Sequence, residues 1–515
     1  MNHIRIVALV IVAAVVWSGG TWRAAAGSPP ASQPADTFAA RLDAEMPELL
    51  ARYDVPGTVV ARISNGAVAW TRAYGVANVA TGEPMRPDMV FEFGSIGKIL
   101  TAWATMRLVE QGQIDLDAPA NRYLKRWQIE SSEYDADQVT IRRLLSHSSG
   151  LSIHGYLDYS PRRASLPDLV ESIAGAHLLE GVTETLQTGR LSRGNVALVQ
   201  EPGTGYKYSG GGYAVLQMIV EDISGEPFAQ FVQREITDPL GATSLRWAWT
   251  PELAANAPVA YGDEGQPLER RQLSIHGIGS EIGTVTDLAK FVAATVTGPN
   301  DEPRGRGVLS EKAVTSMIMP QPGTGSVHGL GYGLGMLNGA RSVSHGGQNS
   351  GWIAFFILDT FRRDGFVVAS SSNRATPLQS TITNLWLDTT YGPAPRTDWA
   401  PAAALGTMAL LPLSVAAILA AALVVAAVRL VRQVRRGRRL RRARPEGRGL
   451  WGGLPWLLWL LFLVYTVYSP LPLYLPGGWP DFWPTPGSHA LLVVLAAWVV
   501  YTGVAALYTA GAQEG

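Results

Sequence analysis

Residues 58–74 read Thr58-Val-Val-Ala-Arg-Ile-Ser-Asn65-Gly66-Ala-Val-Ala-Trp-Thr-Arg-Ala-Tyr74. Two runs rich in β-branched and aromatic residues flank an Asn-Gly pair. Asn-Gly between two such runs is the strongest short signal for a β-hairpin, because both turn residues must adopt a positive φ. The stretch therefore predicts two paired strands, Thr58–Ile63 and Ala67–Tyr74, near the start of the chain.

Outward from this hairpin, the next strands are predicted only late in the chain, at Arg341–His345, Ile353–Asp359 and Gly365–Ser371. Helical patterns of apolar residues are found elsewhere. They cover Asp36–Tyr53, Ile99–Gln111, Asp168–Ala174, Gly212–Ile223 and Thr286–Thr295. Strands at both ends with a helical middle indicate an α+β fold, in which one sheet is built from the two ends of the chain. We expect this domain to cover residues 36–395.

The formal net charge of zero averages two unlike parts of the chain. Of the 42 basic and 42 acidic side chains, ten arginines and one glutamate lie between Arg429 and Arg448. Residues 27–400 keep 30 basic and 39 acidic groups, so this part carries a charge of about −9. An acidic body offers no basic surface, and we predict no nucleic-acid partner.

The chain contains no cysteine. This excludes disulfides, thiolate nucleophiles and zinc–thiolate sites. The eight histidines are not spaced as metal ligands. We therefore predict no metal and no cofactor.

Three apolar runs follow the acidic body, at residues 403–428, 450–468 and 489–510. About 20 apolar residues suffice to cross a hydrocarbon core as a helix, so each run predicts a transmembrane helix. Buried helices of a soluble domain are the weaker alternative. The Arg-rich loop 429–448 follows the first run directly, which places the loop in the cytoplasm rather than on nucleic acid.

The N-terminal segment 1–26 predicts export. Arg5 precedes the apolar stretch Ile6–Trp17, and Ala24-Ala25-Ala26 provides small residues for cleavage. The segment is either a removed signal peptide or a retained anchor. Both ends of the chain thus predict a multi-pass protein of the cell membrane, with the domain 36–395 on the extracytoplasmic side.

A candidate nucleophile lies in Phe91-Glu-Phe-Gly-Ser95-Ile-Gly-Lys98, just before a helical run. A lysine one turn after a serine at the start of a helix places its amine beside the hydroxyl. A buried amine can lose its proton and act as a base, whereas a guanidinium stays charged. The chain has only five lysines against 37 arginines, so a lysine at position 98 is informative. One Ser-x-x-Lys can nevertheless arise by chance, and its weight depends on companions.

Two Gly-rich segments supply these companions. Tyr208 lies in the turn-rich stretch Pro202–Tyr213, where a phenol could relay a proton to a leaving group, although a structural role is the commoner one for a single tyrosine. His345 begins His-Gly-Gly-Gln after a short strand, and glycines there allow close approach of another backbone. Backbone N–H groups beside Ser95 could then bind an oxyanion. His147 we interpret as structural.

In this order the motifs Ser95-x-x-Lys98, Tyr208-Ser-Gly210 and His345-Gly-Gly347 resemble the serine β-lactamase and penicillin-binding-protein family. The resemblance is to its class C-like branch, which includes D,D-carboxypeptidases, D-aminopeptidases and esterases, and it spans about residues 38–392. It implies a β-lactamase-like fold, with an antiparallel sheet flanked by helices and a helical subdomain. Four further stretches carry the resemblance: Leu108–Leu116, Leu144–Leu151, Asp238–Gly241 and Ile282–Leu288.

The resemblance implies a role for each motif residue. Ser95 would be the acylated nucleophile, Lys98 its proton acceptor, and Tyr208 and His345 further catalytic groups. The substrate-binding positions would be Gly210, Gly346, Gly347 and Gln348. The N–H groups of Ser95 and Gln348 would form the oxyanion hole.

Position 210 departs from the family pattern, which has Asn there. The family Asn helps to anchor substrate amides and to orient the lysine, so efficient β-lactam hydrolysis is not expected.

The predicted function is a membrane-anchored serine hydrolase that acts through an acyl-enzyme. It cleaves a peptide, amide or ester bond in a small-molecule or peptide substrate. The alternative is a receptor that binds cell-wall fragments or β-lactams without hydrolysis. The sequence predicts no particular protein partner.

Overall fold

The structure is a computed structural model, which describes residues 36–156, 159–160, 165–175, 195–337 and 339–392 and the short segments 440–442 and 508–510. The predictions for residues 1–26, 403–428 and 450–468 lie outside the described residues, as do most of those for 429–448 and 489–510.

The described residues form ten α-helices, and five of them correspond to those predicted from apolar spacing. They are α1 (Asp36–Tyr53), α2 (Gly97–Glu110), α3 (Ile141–Leu145), α4 (Leu169–Ala174), α5 (Gly210–Ser224), α6 (Phe228–Val232), α7 (Pro251–Ala255), α8 (Val285–Ala293), α9 (Glu311–Met317) and α10 (Thr376–Tyr391). All five predicted helices are confirmed, with ends shifted by at most two residues.

The strands confirm the predicted hairpin and add several short pairs. They are β1 (Gly57–Ser64), β2 (Ala67–Asn78), β3 (Glu83–Pro84), β4 (Val90–Glu92), β5 (Ala260–Tyr261), β6 (Pro267–Leu268), β7 (Ile282–Thr284), β8 (Gly333–Leu337), β9 (Ala340–Asn349), β10 (Trp352–Asp359), β11 (Asp364–Ser370), β12 (Leu440–Arg442) and β13 (Tyr508–Ala510). Asn65 and Gly66 both have positive φ, at 51° and 72°, as the Asn-Gly turn between β1 and β2 requires.

One seven-stranded antiparallel sheet joins the two ends of the domain. Its strand order is β3-β2-β1-β11-β10-β9-β8. β1 from the start of the domain pairs with β11 from its end, with Val60 opposite Val368. The prediction of one sheet built from both ends is therefore confirmed.

Each face of the sheet buries its own core, because successive side chains of a strand point to opposite faces. α1 and α10 cover one face, where Leu42, Val60 and Trp386 are fully buried. The helical region, with α2, α5 and α8, covers the other face, where Val59 and Trp103 are fully buried. The fold is therefore α+β, with the sheet between helical layers.

In the predicted membrane tail, the described residues form two short strands, β12 and β13. No helix within the described residues combines the length and the apolar character that crossing a membrane requires. At the end of the third predicted span, Tyr508–Ala510 is a strand that pairs with Leu440–Arg442 of the Arg-rich loop. The helix prediction is wrong for these last three residues, since their backbone groups pair between strands rather than along a helix.

Candidate active site

Ser95 lies in a 3₁₀ turn, Gly94–Ile96, that leads directly into α2. The turn follows β4, which pairs with β7, and the Phe93 N–H donates to the Glu281 carbonyl at 3.2 Å. Phe93 and Ile96 are fully buried, while Ser95 itself remains partly exposed. The two flanking apolar side chains thus fix the turn and leave the hydroxyl accessible.

Lys98 lies one turn further along α2 and is only 2% exposed. Its Nζ donates to Ser95 Oγ at 3.1 Å and to the Ile278 carbonyl at 2.6 Å. The same amine lies 5.1 Å from the Tyr208 ring centroid and 6.0 Å from that of Tyr213. The serine and lysine are therefore in direct contact in a largely aromatic enclosure.

Tyr208 is held at this enclosure by the start of α5. Ser209 caps the helix, with its Oγ accepting from the Gly212 N–H at 2.8 Å. The Ser209 N–H donates to His147 Nδ1 at 3.1 Å, and the rings of His147 and Tyr208 lie 4.3 Å apart. The tyrosine ring is thus positioned between a buried imidazole and the lysine amine.

His345 reaches the same place from β9, with its ring 6.5 Å from that of Tyr208. Its Nδ1–H donates to the Gly346 carbonyl at 2.7 Å, which leaves Nε2 as the acceptor nitrogen. Burial lowers the pKa of His345 to about 3. The imidazole is therefore neutral near pH 7 and can exchange a proton through Nε2.

β9 lies against the Ser95 turn because two glycines remove side chains at the contact. A Cβ on Gly347 would lie 1.8 Å from the Phe93 carbonyl oxygen and 3.0 Å from the Ser95 nitrogen. A Cβ on Gly94, whose φ is +54°, would lie 2.4 Å from the Gln348 nitrogen. The backbone nitrogens of Ser95 and Gln348 therefore flank one close contact, which is the arrangement that an oxyanion hole needs.

Gly346 and Gly210, which were also expected to bind substrate, have surroundings different from those of Gly347. Gly346 is exposed, and its nearest neighbour for an added Cβ is Phe355 at 3.9 Å. Gly210 is buried in the first turn of α5, where its N–H donates to the His154 carbonyl at 3.0 Å. A Cβ at position 210 would lie 2.7 Å from that carbonyl oxygen. The backbone of the loop at His154 therefore occupies the space into which a side chain at this position would extend.

His147, interpreted as structural, is buried below Tyr208. Besides its bond from Ser209, its ring lies 5.0 Å from that of His328. Burial lowers the pKa of His147, and it lowers the pKa of His328 to about 4. Neutral imidazoles therefore line the wall behind Tyr208. His328 was not found from the sequence, because a lone histidine in a glycine-rich stretch gives no signal of its neighbours.

Glu281 is a second residue that the sequence did not point to. Its side chain is fully buried, and neither carboxylate oxygen has a hydrogen-bond partner of normal geometry in the described ranges. A Cβ on Gly97 would lie 1.9 Å from Glu281 Oε2, so the carboxyl group fills the space beside the first residue of α2. Burial raises the pKa of Glu281 well above its usual range. A single acidic residue before β7 carries no pattern that predicts this position.

No three His, Asp or Glu side chains of the described ranges lie together as a metal site would require. The site offers a partly exposed serine whose hydroxyl contacts a buried amine, together with a neutral imidazole, a phenol and two backbone N–H groups. These are the parts that covalent acyl transfer uses. The fold and the site together have the groups of a serine-type acyl-transfer site.

A family model described as Beta-lactamase matches residues 42–390, and the chain belongs to this family. Esterase EstB of Burkholderia gladioli is 34% identical over 45% of this chain and 57% of its own length. The D-aminopeptidase of Gluconobacter oxydans is 26% identical over 62% of this chain and 56% of its own length. The chain therefore spans less than two thirds of these relatives.

A solved structure, the octameric penicillin-binding protein homologue from Pyrococcus abyssi, superposes with a TM-score of 0.53. It is 23% identical and covers 68% of this chain and 77% of its own, so it supports the fold alone. The β-lactamase-like fold implied by the sequence motifs is confirmed by the family match and by this structure.

Proposed function

We propose that this serine hydrolase is anchored in the cell membrane and cleaves an ester, amide or peptide bond outside the cytoplasm through an acyl-enzyme. The contact between Lys98 Nζ and Ser95 Oγ, at 3.1 Å, carries the catalytic part of this proposal. The amine is buried and its other polar partner is a neutral carbonyl, that of Ile278.

In the first half-reaction, Ser95 Oγ attacks the substrate carbonyl carbon while its proton passes to Lys98 Nζ. The carbonyl oxygen becomes an oxyanion, which the N–H groups of Ser95 and Gln348 bind. When the tetrahedral intermediate collapses, the bond to the leaving group breaks and the leaving group takes a proton. Tyr208 and neutral His345 supply the route for that proton. Water then attacks the acyl-enzyme, and the acid is released with Ser95 restored.

An ester fits the site better than a β-lactam. Position 210 has no side chain, and the His154 carbonyl occupies its space, so no amide reaches from there towards a substrate. A site that lacks a donor–acceptor pair for a substrate amide loses its preference for amide substrates. The similarity to an esterase agrees with this preference, and the similarity to a D-aminopeptidase keeps a peptide substrate within the proposal.

The sequence carries the membrane part of the proposal. Residues 403–428 contain no charged side chain, and ten arginines follow in residues 429–448. In the topology proposed, three spans place residues 429–448 and the end of the third span on the same, cytoplasmic side. Pairing of Leu440–Arg442 with Tyr508–Ala510 supports this topology, because paired strands must lie on one side of the membrane.

The test is covalent labelling and turnover by the full chain in membranes. We expect an active-site serine reagent to label the wild-type protein and Ser380→Ala, an exposed position on α10, but not Ser95→Ala. Equal labelling of Ser95→Ala would contradict the nucleophile assignment. Turnover should then be measured with D-amino-acid peptides, short esters and a chromogenic β-lactam. Stoichiometric acylation of Ser95 without turnover on any substrate would favour the receptor instead.

A further inference from the structure

Both ends of the described domain lie at the same end of the sheet. Two contacts show that α1 and α10 run antiparallel. The Tyr53 hydroxyl, at the end of α1, hydrogen-bonds the Thr381 hydroxyl, near the start of α10, at 2.9 Å. Arg41, near the start of α1, forms an ion pair with Asp388, near the end of α10, at 3.8 Å. The polypeptide therefore enters α1 and leaves α10 at one common end of the molecule.

The tip of the β10–β11 hairpin lies at this same end. The Arg362 guanidinium lies 5.0 Å from the ring of Tyr391, the last residue of α10, and the Tyr391 hydroxyl bonds the buried Asp359. On the other side, Arg62 bonds Asp364 at 2.7 Å and lies 5.3 Å from the ring of Phe38 in α1. The hairpin tip thus lies beside both points where the chain leaves the domain.

The tip presents an unusually exposed aromatic side chain. Phe361 is 75% exposed, the highest value among the large apolar side chains of the described residues. Asp359 Oδ1 accepts from the N–H groups of Phe361 and Arg362 at 2.8 and 2.9 Å, which fixes the turn. Arg363 donates to the Gly298 carbonyl at 3.1 Å. This ordered turn therefore holds the Phe361 ring in water between the chain exits, next to the partly exposed Arg362 and Arg363.

The flanking sequence points to the chemistry of that partner. The uncharged run 403–428 begins only 12 residues after Tyr391, and the fully extended chain between them spans at most about 40 Å. In the sequence, the apolar stretch Ile6–Trp17 precedes α1. Aromatic and basic side chains are the residues that favour the interface between lipid and water.

We propose that the hairpin tip Phe361–Arg363 contacts the lipid headgroup region, so that this end of the sheet faces the bilayer. The inference rests on the membrane anchoring proposed above. Asp359 lies opposite Ser342 in the sheet, and Gln348 lies six residues further along β9. At about 3.3 Å per residue, the active site is then held about 20 Å further from the membrane than the tip.

The test uses the absence of cysteine from the chain, which makes single-cysteine labelling clean. Phe361→Cys and Val199→Cys, a 48% exposed control, are introduced separately into the full chain and labelled with a fluorophore. Each protein is reconstituted in vesicles of equal parts phosphatidylcholine and phosphatidylglycerol that contain a headgroup nitroxide lipid. Ester turnover checks that each labelled protein is folded.

We expect the label at 361 to be quenched at least about threefold more strongly than that at 199, because an interfacial side chain enters the headgroup region by about 5–10 Å. Equal quenching in carbonate-resistant vesicles overturns this inference and leaves the anchoring intact. Loss of the protein from carbonate-washed vesicles overturns both, while ester turnover reports separately on the hydrolase.

Discussion

The hydrogen bonds and ring contacts of Lys98 are with uncharged groups: the Ser95 hydroxyl, the Ile278 carbonyl and two tyrosine rings. A base at position 98 must be able to exist in the neutral form. A lysine amine can do so, whereas an arginine guanidinium stays charged. The rarity of lysine in the chain pointed to position 98 from the sequence. The identity of the carbonyl partner could not be predicted, since Ile278 is 180 residues away.

Glu281 gives a prediction at the scale of one residue. Because burial raises the pKa of Glu281 in the folded protein, the fold favours the protonated form, whereas the unfolded chain ionises near the usual 4.5. Its contribution to stability is therefore fully present below pH 4.5 and is lost as the pH rises above that value. Glu281→Gln, which cannot ionise, should raise the Tm at about pH 8, by roughly 2–4 °C for each kcal/mol gained.

Thermal unfolding of wild type and Glu281→Gln across about pH 4 to pH 8 is the measurement. The difference in Tm should widen with pH. A difference that stays constant over the whole range would show that ionisation of Glu281 does not affect stability.

At the scale of elements, the contact between β9 and the 3₁₀ turn of Ser95 determines the geometry of the site. The strand brings His345, Gly347 and Gln348 to the serine, and the added Cβ at Gly347 has no free space. Gly347→Ala should therefore move β9 away from the turn and lower kcat/KM by about 10²-fold, since a misplacement of 1 Å can cost that much.

Gly346→Ala is the matched control, because the adjacent position is open to solvent and an added Cβ meets only Phe355 at 3.9 Å. Steady-state kinetics on the same ester should show a much smaller loss for Gly346→Ala. Equal losses in the two variants would mean that the close approach at Gly347 is not what positions the site.

The long elements were predictable from periodicity, and the short ones were not. α1 was predicted with its observed bounds, because a long amphipathic pattern is set by local sequence. β4 and β7 have three residues each and give no periodic signal, yet their pairing leads the chain into the Ser95 turn. Such strands form only because distant segments supply their partners.

At the scale of the molecule, the seven-stranded sheet lies between the active site and the layer formed by α1 and α10. Trp386 of α10 is fully buried in that layer, where its Nε1–H donates to Asp364 at 2.9 Å. Trp386→Ala should destabilise the domain by about 3–5 kcal/mol through loss of a large buried side chain. Its kcat/KM per folded molecule should equal that of the wild type.

Denaturant unfolding and active-site titration measure the two quantities separately, and Trp386→Phe serves as the control that keeps most of the volume. A large loss of kcat/KM in correctly folded Trp386→Ala would show that the two faces of the sheet are coupled.

The sequence by itself determined the order of the long strands and helices, the α+β class and the three motifs around Ser95, Tyr208 and His345, because these depend on local spacing and residue type. It also supplied the charge asymmetry and the apolar runs on which the membrane proposal rests. The tertiary structure decided which groups meet: the Ile278 carbonyl on Lys98, His147 below Tyr208, Glu281 beside Gly97 and the His154 backbone at Gly210. These contacts join segments that are far apart in the sequence. They depend on how the helical layers pack on the sheet, and local sequence patterns do not determine that packing.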